Sequence, residues 1–215
     1  MMTCFIIQEG EEIMISIERL LALEKEDLPE FSKTLQKEKI SQLMEWLTEK
    51  DDKLRYHSLL LLQYRSEYYD DVYPFWDVFC EKLKSSNSYH RSIGLMLMAD
   101  NVKWDRENKI DGAIDDYLEI LYDEKPITVR QCIQALSKIV LYKTHLHDKI
   151  ANELMSINIM DVKPTMRKLI LLDILNILAL IRKHRTSEEI DGYISKALTG
   201  ELLDKKSKKQ IELML

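Results

Sequence analysis

Four arginines, Arg55, Arg91, Arg130 and Arg167, recur at intervals of 36, 39 and 37 residues, and their surroundings recur with them. One residue before each stand Leu54, His90, Val129 and Met166. Three after come Ser58, Gly94, Ile133 and Ile170, and six after come Leu61, Leu97, Leu136 and Asp173. A period of this length is that of one supersecondary unit, which must bury its apolar face against the next copy. Offsets of −1, +3 and +6 share one side of a 3.6-residue helix, so each arginine opens an amphipathic helix with the same inward face. Asp51-Asp52, Asn87-Ser88, Lys125-Pro126 and Lys163-Pro164 precede these openings, and such residues suit a helix cap or first turn.

These are second, or B, helices. The amphipathic segments 39–49, 70–84, 109–122 and 145–157 between them read as first, or A, helices. A further pair follows at 187–198 and 204–215, and 13–23 with 28–36 caps the front. Neither end unit carries the arginine, as expected where one side of a repeat faces water. The expected architecture is all-α: a right-handed α–α superhelix of about five helix pairs. It forms a single array over 1–215, with a cap at 1–38, four arginine-bearing repeats at 39–182 and a closing pair at 186–215.

Composition agrees. Five glycines and four prolines in 215 residues are too few turn-makers for a sandwich or barrel. The longest apolar stretch, 169–181, is broken by Asp173 and Asn176 and is shorter than the ~20 residues that cross a bilayer. No membrane partner is expected. Cys4, Cys80 and Cys132 form no C-x-x-C pair, which fits a reduced, cytoplasmic location. A net charge of −6, from 37 acidic and 31 basic residues, disfavours nucleic acid, whose binding draws on a basic surface. Charge is uneven: 1–30 holds eight acidic and two basic residues, whereas 163–185 holds six basic residues against Asp173.

Six positions ahead of the arginines stand Glu49, Ser85, Glu124 and Asp161. An apolar residue plus arginine opening helix B, with an acid in the turn before, resembles the HEAT repeat, and three of the four units fit. The resemblance implies a ladder in which Arg55, Arg91, Arg130 and Arg167 pair with Glu49, Glu124 and Asp161, Arg91 being the weak case. For Arg130 the leading partners are Glu124 and Asp161. It also implies that the B helices line the concave side of the array. The segments Asn87-Ser88-Tyr89-x-Arg91, Lys103-Trp104-Asp105, Asn108-Lys109-Ile110-Asp111 and Asp123-Glu124-Lys125-Pro126-Ile127-Thr128 are similar to a family of small bacterial HEAT-like proteins often labelled SufBD proteins. That similarity spans roughly 73–173 and implies a fold and no activity.

No catalytic, metal or cofactor motif stands out. The three isolated cysteines lack cluster-ligand spacing. His145 and His147 are two apart, whereas helical ligand pairs need spacing of three or four. Phe75, Trp76 and Phe79 have the spacing of core residues, and Trp104 is expected to tuck under its loop. Asp173 falls in a core column and therefore requires a hydrogen-bonded or ionic partner. The expected function is a non-enzymatic scaffold that grips a protein or peptide along B-helix offsets +1, +4 and +8. Its candidate contacts are Tyr56, Gln63, Ser92, Gln131, Gln134, Lys138 and Lys168, whose amide and hydroxyl groups suit hydrogen bonding to an extended peptide. Joint substitution of Gln131, Gln134 and Lys138 is expected to abolish partner capture at little cost in stability. The alternative is a HEAT-like alkylpurine DNA glycosylase with Trp76 and Asp77 in its site, disfavoured by the acidic charge.

One expectation concerns the start. Glu9-Gly10-Glu11-Glu12-Ile13 before Met14 reads as translation of a purine-rich ribosome-binding sequence, which would place residues 1–13 outside the native chain. Intact mass of the natively expressed protein checks this, and a chain beginning at Met1 or Met2 removes the idea.

Overall fold

The structure, a computed structural model, describes residues 15–215; the expected start at Met14 lies outside them. Among the described residues there are twelve α-helices and no strand. No helix among them is long and apolar enough to cross a membrane. The chain divides into two compact units, Met1–Asp71 and Val72–Leu215.

In the first unit, α1 (Ile17–Ala22), α2 (Leu28–Thr34) and α3 (Ile40–Trp46) all pack on the longer α4 (Asp52–Tyr68). The Asp51 carboxylate caps α4 by accepting from the Lys53 and Leu54 amides. Leu54, Leu61 and Leu62 carry its buried face. The buried Arg65 closes the unit: it donates to both oxygens of Asp71 at 2.7–3.2 Å and to the carbonyls of Ser32 and Lys33, so these two buried charges satisfy each other.

The second unit runs α5 (Trp76–Leu83), α6 (Ser88–Asn101), α7 (Ile110–Glu119), α8 (Pro126–Tyr142), α9 (His147–Ser156), α10 (Pro164–Arg182), α11 (Glu188–Thr199) and α12 (Lys205–Glu212). The B helices α6, α8 and α10 begin at the turns read from sequence. Asn87 accepts from the Tyr89 amide at the head of α6, while Pro126 and Pro164 occupy the first turns of α8 and α10. The A helices are shorter than expected, because single 3₁₀ turns at Tyr73–Phe75 and Thr144–Leu146 lead into α5 and α9. Helix α6 packs on α5 and α8, and α8 packs in turn on α10.

The sequence columns account for this packing. At +3, Ser58, Gly94, Ile133 and Ile170 are all buried, and at +6 so are Leu61, Leu97, Leu136 and Asp173. Trp76, Phe79 and Tyr117 on the A helices complete the core of the second unit at 2% exposure or less. Each fully buried aliphatic side chain contributes about 1.5–3 kcal/mol.

Gly94 marks the closest approach of α5 and α6. A Cβ there would lie 2.8 Å from the Phe79 carbonyl oxygen and 2.9 Å from Lys82 Cβ. Helix propensity favours alanine by about 1 kcal/mol, but the obstructing atoms are backbone and a Cβ, which cannot swing aside. Gly94→Ala is therefore expected to destabilise the protein by about 1–2 kcal/mol net, overpacking outweighing propensity. Urea unfolding measures it, and an unchanged or raised midpoint would contradict this helix approach.

Candidate functional site

Three of the four B-helix arginines, Arg55, Arg91 and Arg167, sit in the first turn of their helices and reach back over the preceding turn. There they meet peptide carbonyls, which need donors when withdrawn from water. Arg55 Nη1 donates to the Glu49 carbonyl at 2.9 Å, and Arg91 Nη1 to the Ser85 carbonyl at 2.7 Å. Arg167 donates to the carbonyls of Val162 at 2.9 Å and Met160 at 2.6 Å. The common role of these three is to close the turn between helices A and B.

The expected acidic partners are therefore corrected. Arg55 pairs with Asp52 in its own helix, and Glu49 serves through its carbonyl. Arg130 pairs with Asp173, its Nε donating at 2.6 Å, not with Glu124 or Asp161. Glu124 pairs with Lys125, and Asp161 accepts from the Asn158 amide. Arg91, expected to be the weak member, bonds the buried Asp123 carboxylate of the next turn at 2.6 Å. Glu49, Glu124 and Asp161 are all exposed, so turning their carboxylates inward would forfeit hydration for little gain.

In the second unit the +1, +4 and +8 stripe forms a polar seam between neighbouring B helices. The Ser92 hydroxyl on α6 donates to the Gln131 amide oxygen on α8 at 2.6 Å. The Gln134 side-chain amide donates to Asp173 Oδ1 on α10 at 3.0 Å, beside Arg130. Lys138 pairs with the buried Asp100 of α6, and Lys168 with Asp204 at the cap of α12. Asp173 thus has the partners its core position requires.

This corrects part of the expected groove. Ser92 is 5% exposed, and Leu95, Ala99, Leu171 and Leu175 on the same stripe are also buried. These positions lie where one B helix meets the next, so packing covers them. Gln134 and Lys138 are exposed, while Gln131 and Lys168 are half-buried. In the first unit Tyr56 is exposed beneath the Lys25 ammonium, 4.9 Å from its ring centroid, and Gln63 is half-buried. Joint substitution of Gln131, Gln134 and Lys138 would remove ties between helices and leave Asp100 buried without its lysine, so the structure links it to lost stability.

A second polar centre was not picked out as a site from the sequence. Asp105, in the loop after α6, has a fully buried side chain. Its carboxylate accepts from Tyr73 Oη at 2.9 Å, the Lys109 amide at 2.8 Å and the Ile110 amide at 3.1 Å, and pairs with Lys143 Nζ at 3.2 Å. Lys143 also donates to Asn108 Oδ1 at 2.7 Å. Asn108 has φ 55°, a left-handed conformation that asparagine tolerates. Burial by itself would raise the Asp105 pKa, but the combined amide, phenol and ammonium bonds outweigh it and hold the carboxyl below its ordinary value. The available signal was Lys103-Trp104-Asp105 followed by Asn108-Lys109-Ile110-Asp111: an acid four and five residues ahead of the amides that open α7.

The remaining candidates have structural places. Trp76 is 2% exposed, so it offers no platform for a flipped base, and Asp77 beside it points to solvent. His145 Nε2 meets Asp111 at 2.7 Å, whereas His147 Nε2 meets the Val140 carbonyl at 2.7 Å. Burial pushes the Cys132 thiol well above its ordinary range. Trp104 is half-buried, with the Lys103 ammonium 4.8 Å from its ring centroid. No group of three or more potential metal ligands occurs among the described residues. Comparison with protein-family models, with curated proteins and with solved structures finds no match.

The Asp105 centre gives a signed prediction. Its pKa is lower folded than unfolded, so its contribution is complete above the unfolded value near 4 and is lost as pH falls through the folded value. Lys143→Met should cost about 3–5 kcal/mol at neutral pH by leaving a buried carboxylate without its cation, and Lys143→Met with Asp105→Asn, which removes the charge and keeps an acceptor for the amides, should recover part of it. Urea unfolding of the two variants at pH 7 and pH 3 checks this: the single variant's deficit should shrink in acid. A deficit unchanged by pH would refute the assignment.

Proposed function

We propose that this chain is a non-enzymatic, protein- or peptide-binding scaffold made of HEAT-like helix pairs. Support for the repeat architecture comes from sequence separation. In the second unit long-range side-chain bonds join one helix pair to the next at about one repeat length, from 31 positions for Tyr122–Glu153 to 43 for Arg130–Asp173, while His147–Val140 and Arg182–Asp191 bridge the short connections between pairs. One helix pair is tied to the next, as in a solenoid whose repeats touch only their neighbours.

The observation that carries the binding role is the accessible row on α8. Gln134, Lys138, Leu141 and Tyr142 share one helix face, and all four are exposed; Leu141 and Tyr142 are more than half exposed. The row continues the +4 and +8 stripe beyond the part that helix packing covers. Amide, ammonium, aliphatic and phenol groups in succession suit a peptide segment with its own backbone groups and one or two apolar anchors. The proposed partner is a protein or peptide, engaged without a cofactor.

Affinity capture with the purified full chain, using Leu141→Asp with Tyr142→Asp as control, tests this. Both side chains are exposed, so the double variant should keep its unfolding midpoint within about 0.5 kcal/mol. Proteins retained by the wild type and identified by mass spectrometry should bind the variant at least tenfold more weakly. Equal retention of those partners by a folded variant would sink the α8 assignment.

A further inference from the structure

We propose that the turns joining helices A and B in the second unit form a groove for a proline-containing segment of another protein in the polyproline II conformation, with an apolar residue at every third position and a basic residue at one end. Two cavities mark the groove. The first, of about 620 Å³, lies between the α7–α8 turn at 121–126 and the α9–α10 turn at 156–163. The second, of about 510 Å³, lies between the α9–α10 turn and the face of α11 that carries Tyr193, Lys196 and Ala197. Ile157 and Asn158 line both, so the two adjoin. The groove is separate from the α8 row, whose Leu141 and Tyr142 line neither cavity.

The floor is apolar and belongs to the core. Val129 and Ile170 in the first cavity, and Ile159 and Leu171 in the second, are all buried. Core side chains that also line open space leave apolar surface for a partner to cover. The rim is apolar as well: Tyr122 is 61% exposed, Met160 58% and Leu202 40%. Each cavity holds one tyrosine, Tyr122 in the first and the half-buried Tyr193 in the second. Such rings, apolar in body and polar at the tip, suit the face of a proline.

Spacing decides the conformation of the partner. Packed helices lie ~8–10 Å apart; α8 packs on α10 and α10 on α12, so the turns of successive pairs recur at about that step. A polyproline II helix rises ~3.1 Å per residue with three residues per turn, which brings residues i and i+3 to one face ~9 Å apart. In an extended strand, same-face residues fall ~7 Å or ~13 Å apart and miss one of the cavities. Charge sets the direction. The first cavity is lined by Asp123, Glu124 and Asp161 against Lys163, whereas the second has one charge of each sign, Lys196 and Glu201. Asp123 is committed to Arg91. Glu124 and Asp161 are exposed, and the Glu124–Lys125 pair is a surface contact that exchanges readily, so both carboxylates are open to a basic residue of the partner.

Fluorescence anisotropy of a labelled peptide, Lys-Lys-Pro-Leu-Pro-Pro-Leu-Pro, titrated with the full-length protein tests the groove. Saturable binding is expected, with a Kd below about 200 µM. Serine in place of both leucines, or glutamate in place of both lysines, should weaken it at least fivefold. Met160→Asp, an exposed change that should leave the unfolding midpoint unchanged, should weaken it at least tenfold, while Leu141→Asp with Tyr142→Asp should not weaken it. No saturation up to about 0.5 mM overturns the proposal, as does full binding by folded Met160→Asp, undiminished binding of either control peptide, or loss of binding in the α8 variant. Self-association of the wild type that Met160→Asp abolishes would overturn it as well, by giving the groove to a second copy of this chain.

Discussion

A pair of short helices cannot cover its own apolar face, and the second unit rests on that constraint. The +3 and +6 columns are buried along α6, α8 and α10, and each helix finds its cover in its neighbours. Once apolar columns are in contact, polar groups beside them lose water as well and must find partners. Ser92 with Gln131, Asp100 with Lys138, and Asp173 with Arg130 and Gln134 answer that demand across two successive interfaces. The seam follows from burial; it did not require a ligand to explain it.

The arginine column shows how one sequence signal serves two physical ends. At Arg55, Arg91 and Arg167 the guanidinium satisfies carbonyls five to seven residues upstream, so the turn and the helix it launches are locked together. At Arg130 it crosses to the next B helix because Asp173 stands where the other units place leucine. A planar group with five donors can do either without changing identity. A lysine at these positions would supply charge but not the fixed fork that spans two acceptors.

Much of the fold was legible because burial and helix periodicity act locally. The B-helix starts at Asp52, Ser88, Pro126 and Pro164 are set by caps and prolines that read directly from sequence. What was not legible depends on direction in three dimensions. Spacing placed Glu49, Glu124 and Asp161 near the arginines, but it could not show that the guanidinium groups meet backbone carbonyls and other carboxylates, those of Asp52, Asp123 and Asp173. Likewise offsets +1, +4 and +8 identified one side of each B helix, yet only packing shows that Ser92 and Leu95 are covered while Gln134 and Lys138 are exposed. The Asp105 centre joins residues up to 70 positions apart, Tyr73 to Lys143, beyond the reach of any local pattern.

The electrostatics hold several buried groups in a single protonation state. General acid–base work is most efficient when a group's pKa lies close to the operating pH. Here the shifts of Asp105, Tyr73, Tyr117 and Cys132 run the other way. Hydrogen bonds overcome burial to hold Asp105 down, while burial drives Tyr73, Tyr117 and Cys132 up, further into their neutral forms. Each group is fixed in the protonation state that its packing requires, which stabilises the scaffold and removes it as a proton carrier. The chemistry left at the surface of α8 is an amide, an ammonium already paired with Asp100, an aliphatic side chain and a phenol. On the reading proposed above, those groups are the ones that would hold another chain in place.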